Sequence, residues 1–118
     1  MSQSTNGSLH IMSQYLIGYH GDMSPPETPE EGQAHMKKWQ EWVMNLGAAI
    51  VNPGTPLGAS KIVTAAGTVE DDWPNTMFGY SVVEADTLEA ACAMASTCPV
   101  LEQGGTLRVV EIKTLPGG

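Results

Sequence analysis

Basic residues are scarce in this chain: five Lys and Arg stand against 13 Asp and Glu, a formal charge of −8. A surface that tracks phosphates needs clustered Lys and Arg, and the one adjacent pair is Lys37-Lys38. Nucleic acid is therefore not an expected partner, and neither is an anionic membrane. There are two cysteines, Cys92 and Cys98, and three scattered histidines, His10, His20 and His35, which offer no zinc-ligand spacing. No metal and no cofactor are expected. Apolar runs end after a few residues, far short of the roughly 20 that cross a bilayer. No segment combines a basic start, an apolar middle and a cleavage site, so a secretory signal is not expected. The cysteines are expected to stay reduced, in the cytoplasm. What is present fits a folded globule with one core: 42% apolar and 15% charged residues in 118 positions.

One domain is expected over residues 14–114, with a polar tail at 1–13, where Met12 is a natural start, and a frayed end at 115–118. Tyr15 to His20 reads as a first strand, stopped by Gly21-Asp22, and Pro25-Pro26 delays the helix that follows. Thr28-Pro29-Glu30-Glu31 is a capping box, with an N-cap threonine, proline at the first helical position and glutamate at the third. The helix then carries Met36, Trp39, Val43 and Leu46 on one stripe, with Trp42 flanking it, and stops at Gly47. Ala48 to Asn52 is expected as a short strand and Pro53 to Gly58 as a turn rich in breakers. Ser60 to Ala66 suits a hairpin arm or a central strand, and Gly67 to Asn75 reads as a polar acidic loop. Met77 to Ala85 is a strand. Asp86 or Thr87 caps a second helix, whose Leu88, Ala91, Cys92 and Ala95 share a face. Cys98-Pro99 ends it, and Thr106 to Lys113 is the last strand.

This order is a βαββαβ plan with an extra hairpin: an α+β chain of ferredoxin-like type, with two helices on one face of an antiparallel sheet. The other face is not polar. Leu16 on the first strand and Val110 and Ile112 on the last oppose Tyr15, Ile17, Tyr19, Leu107 and Val109, so both sides are apolar. A second copy covering the open face, making a homodimer, is the expected resolution.

The ordered set Trp39-x-x-Trp42 ending at Gly47, Ala49-Ile50-Val51-Asn52-Pro53-Gly54-Thr55-Pro56-Leu57, Gly79-Tyr80-Ser81-Val82-Val83-Glu84-Ala85-Asp86, Cys98-Pro99 and Gly104-Gly105-Thr106 resembles the YCII-related domain family and its DGPF-type relatives. The match runs from about Tyr15 to Ile112. The resemblance implies a dimeric α/β barrel with a cleft between sheet and helices. The Asp-Gly-Pro-Phe signature is missing, with Asp72-Trp73-Pro74 a loose echo. In relatives with suspected catalysis a helix-one histidine works with an aspartate near the helix end. Here His35 lies one residue out of register and Asn45 replaces the aspartate. An amide carries no charge to raise a histidine's basicity, so the dyad is not carried over.

Two functions fit these residues. One is a binding module: a homodimer holding a small, partly aromatic metabolite without turnover, with Trp39, Trp42, Asn52 and Tyr80 as the ligand-binding candidates. The other is a cofactor-free enzyme that moves a proton or eliminates on a small cyclic substrate, with His35 or His20 as base and Tyr80 or Asn52 orienting the substrate. Each candidate also has a plain structural role: packing for the tryptophans and Tyr80, turn capping for His20 and Asn52. Glu70-Asp71-Asp72 lacks Ca²⁺-loop spacing and reads as a solvated charge run. Cys92 is expected in packing, and Cys98, before proline, as the more accessible thiol.

Overall fold

The computed structural model describes residues 12–21, 26–72 and 76–113. Residues 1–11 of the expected 1–13 tail, His10 with them, the loop residues Met23 to Pro25, the pair Trp73-Pro74 and the expected frayed end lie outside the described residues, while Ser13, expected in the tail, opens the first strand. Among those described, the chain runs β1 (Ser13–His20), α1 (Pro29–Leu46), a 3-10 turn (Gly47–Ala49), β2 (Ile50–Pro56), β3 (Lys61–Thr64), β4 (Gly67–Glu70), β5 (Met77–Ala85), α2 (Leu88–Ala95), a second 3-10 turn (Pro99–Gln103) and β6 (Thr106–Ile112). Four strands form one antiparallel sheet in the order β2-β5-β1-β6, and β3 and β4 pair apart as a hairpin. This is an α+β protein of ferredoxin-like topology. None of its described helices is long and apolar enough to cross a membrane.

The caps form where the sequence puts them. Thr28 Oγ1 accepts from the Glu31 amide at 3.1 Å, Pro29 fills the first helical position, and Glu30 and Glu31 place acid against the positive end of α1. The return bond of the box goes one residue further out, to the Glu27 amide. Thr87, rather than Asp86, caps α2, accepting from the Ala90 amide at 3.0 Å.

Tyr15, Ile17 and Tyr19 of β1 and Ser81, Val83 and Ala85 of β5 are buried under the helices. Leu107 and Val109 of β6 pack against this core, while Val110 and Ile112 point the other way and are exposed. Trp42 is the one fully buried residue of α1, and Met36 is exposed, so the inward stripe is centred on Trp39, Trp42, Val43 and Leu46 and displaced from the expected one. Trp42 joins the helices, its Nε1–H donating to Met94 O at 3.2 Å and to Thr97 Oγ1 at 3.0 Å.

Several expectations need correction. Residues 47–49 form a 3-10 turn, and β2 starts at Ile50 and continues through Pro53 to Pro56. Prolines are tolerated there because β2 is an edge strand, where a missing N–H costs no ladder bond. The segment from Ser60 resolves as a hairpin arm, and its partner β4 comes from the expected acidic loop; Ile62 faces Val69, and Lys61 and Glu70 form an ion pair across the strands. On α2 the inward residues are Ala91 and Ala95, continued by Cys98, whereas Leu88 and Cys92 are exposed. The two thiols thus exchange the environments expected of them. A stripe at 91, 95 and 98 keeps helical spacing and puts the smallest side chains against the sheet, which position 92 does not.

Candidate functional site

A pocket of about 330 Å³ opens between the first half of α1 and the β2–β5 edge of the sheet. Trp39 and Met36 of α1 form one wall, Pro53 to Pro56 of β2 another, and Tyr19 and Phe78 the floor, with His35 and Val100 completing the lining. None of the lining residues carries a formal charge at neutral pH with histidine neutral. Tyr19 meets Trp39 edge-on with ring centroids 5.4 Å apart, Trp39 lies 5.2 Å from Trp42, and Tyr19 lies 6.3 Å from Phe78. Such pairs add about 0.5–1.5 kcal/mol each beyond area burial.

Two local irregularities shape the pocket. On β5, Tyr19 pairs with Gly79 but His20 pairs with Met77, which leaves Phe78 as the extra residue of a β-bulge. A bulge re-aims a side chain, and here the ring of Phe78 joins that of Tyr19. On β2 the register slips between Asn52 and Thr55. Gly54 has φ +85°, and a Cβ on it would sit 1.5 Å from Tyr80 O, so the turn closes onto β5 with only a glycine between them. Asn52 Oδ1 accepts the Gly54 amide at 2.8 Å and holds this bend.

Beneath the turn runs a buried relay. Ser81 Oγ donates to Pro53 O at 2.7 Å. A carbonyl only accepts, so the 2.6 Å contact between Tyr19 and Ser81 has the Tyr19 hydroxyl as its donor. Burial pushes the Tyr19 hydroxyl far above the usual tyrosine range, the bond to Ser81 offsetting only part of that. Behind it, burial pushes the Cys98 thiol up to about 11, with a backbone hydrogen bond at Val100 acting the other way. Neither group is a base at neutral pH.

His35 is tied to the second 3-10 turn: Gln103 Nε2 lies 2.7 Å from His35 Nδ1. One helical turn on, Lys38 Nζ meets Glu102 Oε1 at 2.8 Å. Together these contacts hold α1 to the Pro99–Gln103 turn at the side of the pocket.

His35, Trp39 and Tyr80 come together at the pocket; Trp42, Asn52 and His20 are not among its lining residues. Alternation along β5 turns the Tyr80 side chain away from the face of Ser81, so Tyr80 contributes backbone beside Gly54. Trp42 stands behind Trp39 and bonds α2, and Asn52 supports the turn from outside. By the same alternation His20 lies on the face opposite Tyr19, where its ring and Met77 approach Gly18. Sequence reasoning missed Tyr19 and Phe78 as pocket walls and gave Gln103 no role. Phe78 needs the bulge to be seen, and Gln103 meets His35 across 68 residues with no local pattern to announce it. Among the described residues no group of three His, Cys, Asp or Glu gathers as a metal site. In comparisons with known proteins, no family model matches this chain and no curated protein matches it.

Proposed function

We propose that this chain is a homodimer that binds a small, flat, largely apolar metabolite in the α1–β2–β5 pocket without turning it over; the dimer and the cleft are what its resemblance to YCII-related domains implies. The observation that carries the reading is the pocket: about 330 Å³, walled by Tyr19, Trp39 and Phe78 and by two prolines, with no charged lining residue. That volume and that mix of rings with a few polar groups suit a small ligand. Binding without turnover draws support from the groups nearest the pocket. The Tyr19 hydroxyl is committed to Ser81, and the partner of His35 is an amide where a carboxylate would make it a stronger base.

The second copy covers the face opposite the helices. Leu16, Val82, Val110 and Ile112 share that face with Tyr80, Arg108 and Glu84, and Val110 and Ile112 are exposed. Carrying both charges on one apolar surface makes it self-complementary: a two-fold axis lets Arg108 meet the partner's Glu84. A dimeric α/β barrel is the assembly this pairing makes.

One experiment addresses both parts. Native protein and the Trp39→Ala and Val110→Lys variants are titrated with a panel of neutral aromatic fragments, and their masses are measured by sedimentation. The reading expects a dimer that binds fragments, loss of binding in Trp39→Ala, and monomers in Val110→Lys. A native monomer refutes the assembly, and fragment binding indifferent to Trp39 refutes the site. A second reading, proton transfer with His35 as base, rests on His35 reaching the same pocket. It requires turnover of a cyclic substrate that disappears in His35→Asn.

A further inference from the structure

Among the few polar side chains that line this largely apolar pocket is the imidazole of His35, and a neutral imidazole has two forms that recognise opposite chemistry. With the proton on Nε2 it offers a donor; with the proton on Nδ1 it offers a lone pair. Gln103 selects between them. Its amide nitrogen, a donor only, lies 2.7 Å from His35 Nδ1, so Nδ1 accepts and the ring proton sits on Nε2. Gln103 is not among the lining residues although His35 is, so the Nδ1 edge is spent on the 3-10 turn and the opposite edge, carrying Nε2–H, is the one left for a ligand. The neighbouring cation is spoken for as well: Lys38 is held by Glu102.

We infer that Gln103 is a positioning residue that fixes the donor tautomer of His35, and that the ligand of this pocket is a neutral planar ring system bearing a hydrogen-bond acceptor such as a ring carbonyl. This rests on the ligand-binding reading above and narrows it. An anionic ring is disfavoured because no lining residue carries positive charge and the chain's net charge is −8. A purely apolar ring is disfavoured because it leaves the Nε2–H unsatisfied on desolvation. A ring whose polar group only donates meets a donor. In this tautomer His35 gives a hydrogen bond and holds no lone pair toward the ligand, which also separates the inference from the proton-abstraction reading.

The test has two readouts. Long-range proton–nitrogen correlation spectra of the imidazoles, with His35 assigned by the signal missing in His35→Asn, report which nitrogen of the neutral ring carries the proton. Gln103 is exposed, so its variants are expected to fold. Native protein is expected to show the Nε2–H form alone, Gln103→Leu to relax toward the mixture of an unpartnered imidazole, in which Nε2–H still leads, and Gln103→Glu, whose carboxylate accepts from Nδ1–H, to reverse the preference. A native Nδ1–H form, or a Gln103→Glu spectrum unchanged from native, overturns the inference. The second readout is the affinity ratio of α-tetralone, a flat bicyclic ketone, to tetralin, its hydrocarbon counterpart, followed by shifts of the Trp39 and Phe78 rings. One neutral hydrogen bond corresponds to about a fivefold preference for the ketone, expected to fall toward one in Gln103→Glu. If both compounds bind equally to native protein, the acceptor requirement is wrong while the pocket reading survives. If neither shifts the rings, and the wider fragment panel does not either, the pocket reading fails and takes the ligand class with it.

Discussion

Replacing Ser81 by alanine removes one oxygen from a fully buried position and breaks two hydrogen bonds at once. The Tyr19 hydroxyl loses its acceptor at 2.6 Å, and the Pro53 carbonyl loses its donor at 2.7 Å. Pro53 is an exposed residue and its carbonyl can turn to water, so the penalty is that of the one buried hydroxyl left without a partner, and Ser81→Ala is expected to destabilise by about 1–3 kcal/mol. For a domain of this size that lowers Tm by about 5–15 °C. Tyr19→Phe is milder: Ser81 keeps its bond to Pro53, and the cost is about 1 kcal/mol. The double variant is the informative one. With Phe at position 19 there is no stranded hydroxyl, so Ser81→Ala/Tyr19→Phe is expected to be about 1 kcal/mol more stable than Ser81→Ala alone. Urea unfolding of the four proteins closes the cycle. Additive penalties in the double variant would refute the relay, because they would mean that Tyr19 and Ser81 stabilise the fold independently.

Alkali should unfold this protein earlier than its composition suggests. The Cys98 thiol titrates near 11 in the fold against an ordinary 9.0, so the unfolded chain releases that proton first. Stability is whole below pH 9 and falls toward pH 11 by about 1.4 kcal/mol per unit, about 3 kcal/mol in all, with buried Tyr19 adding to the loss from pH 10 upward. Urea midpoints across that range should decline in native protein and stay level between pH 9 and 10 in Cys98→Ala; equal slopes in the two would remove Cys98 as the cause. Gly54→Ala should cost at least about 3 kcal/mol, since a left-handed φ of +85° is joined by a 1.5 Å clash with Tyr80 O, whereas Gly104→Ala, at φ +86° in the ordinary left-handed region with open space around it, should cost about 1 kcal/mol. Thermal melts of the pair check this, and similar losses would mean the turn can shift. Trp42→Phe gives up the Nε1–H bonds to Met94 and Thr97 and should cost about 1–3 kcal/mol while leaving fragment affinity intact, the reverse of Trp39→Ala.

How far the sequence carries can be seen in individual elements. The capping box at Thr28 and the period-two pattern of β1, β5 and β6 depend on residues close in the chain, and each forms where expected. The stripe of α1 was displaced because Met36 and Trp42 fit the helical period about equally well, and only packing against α2 chooses Trp42 for the interior. β4 was hidden for a different reason: Gly67-Thr68-Val69-Glu70 has one apolar residue and reads as loop until Ile62 and Lys61 are set opposite Val69 and Glu70. At the pocket, His35 and Trp39 were legible because they share a helix face. Tyr19, Phe78 and Gln103 were not, since each acquires its place through a contact over a long stretch of chain.

The departures from regular structure gather around the site. The bulge at Phe78, the left-handed Gly54 and the register slip at Asn52 all sit where β2 and β5 border the pocket. A sheet without them would pair β2 and β5 in register, and Phe78 would follow the alternation of the strand and turn away from Tyr19. The bulge places that ring in the floor, and the turn at Gly54 brings Pro53 to Pro56 up as a wall. The buried hydroxyls then hold the shape, because Ser81 anchors Pro53 from below while its other bond fixes Tyr19. A protein that needed only a core at this end would be better served by a regular ladder and an apolar residue in place of Ser81. Local irregularity held by a satisfied buried network is what a fold spends on a functional surface. On that ground the recognition site proposed above is this pocket and not the acidic segment at Glu70-Asp71-Asp72.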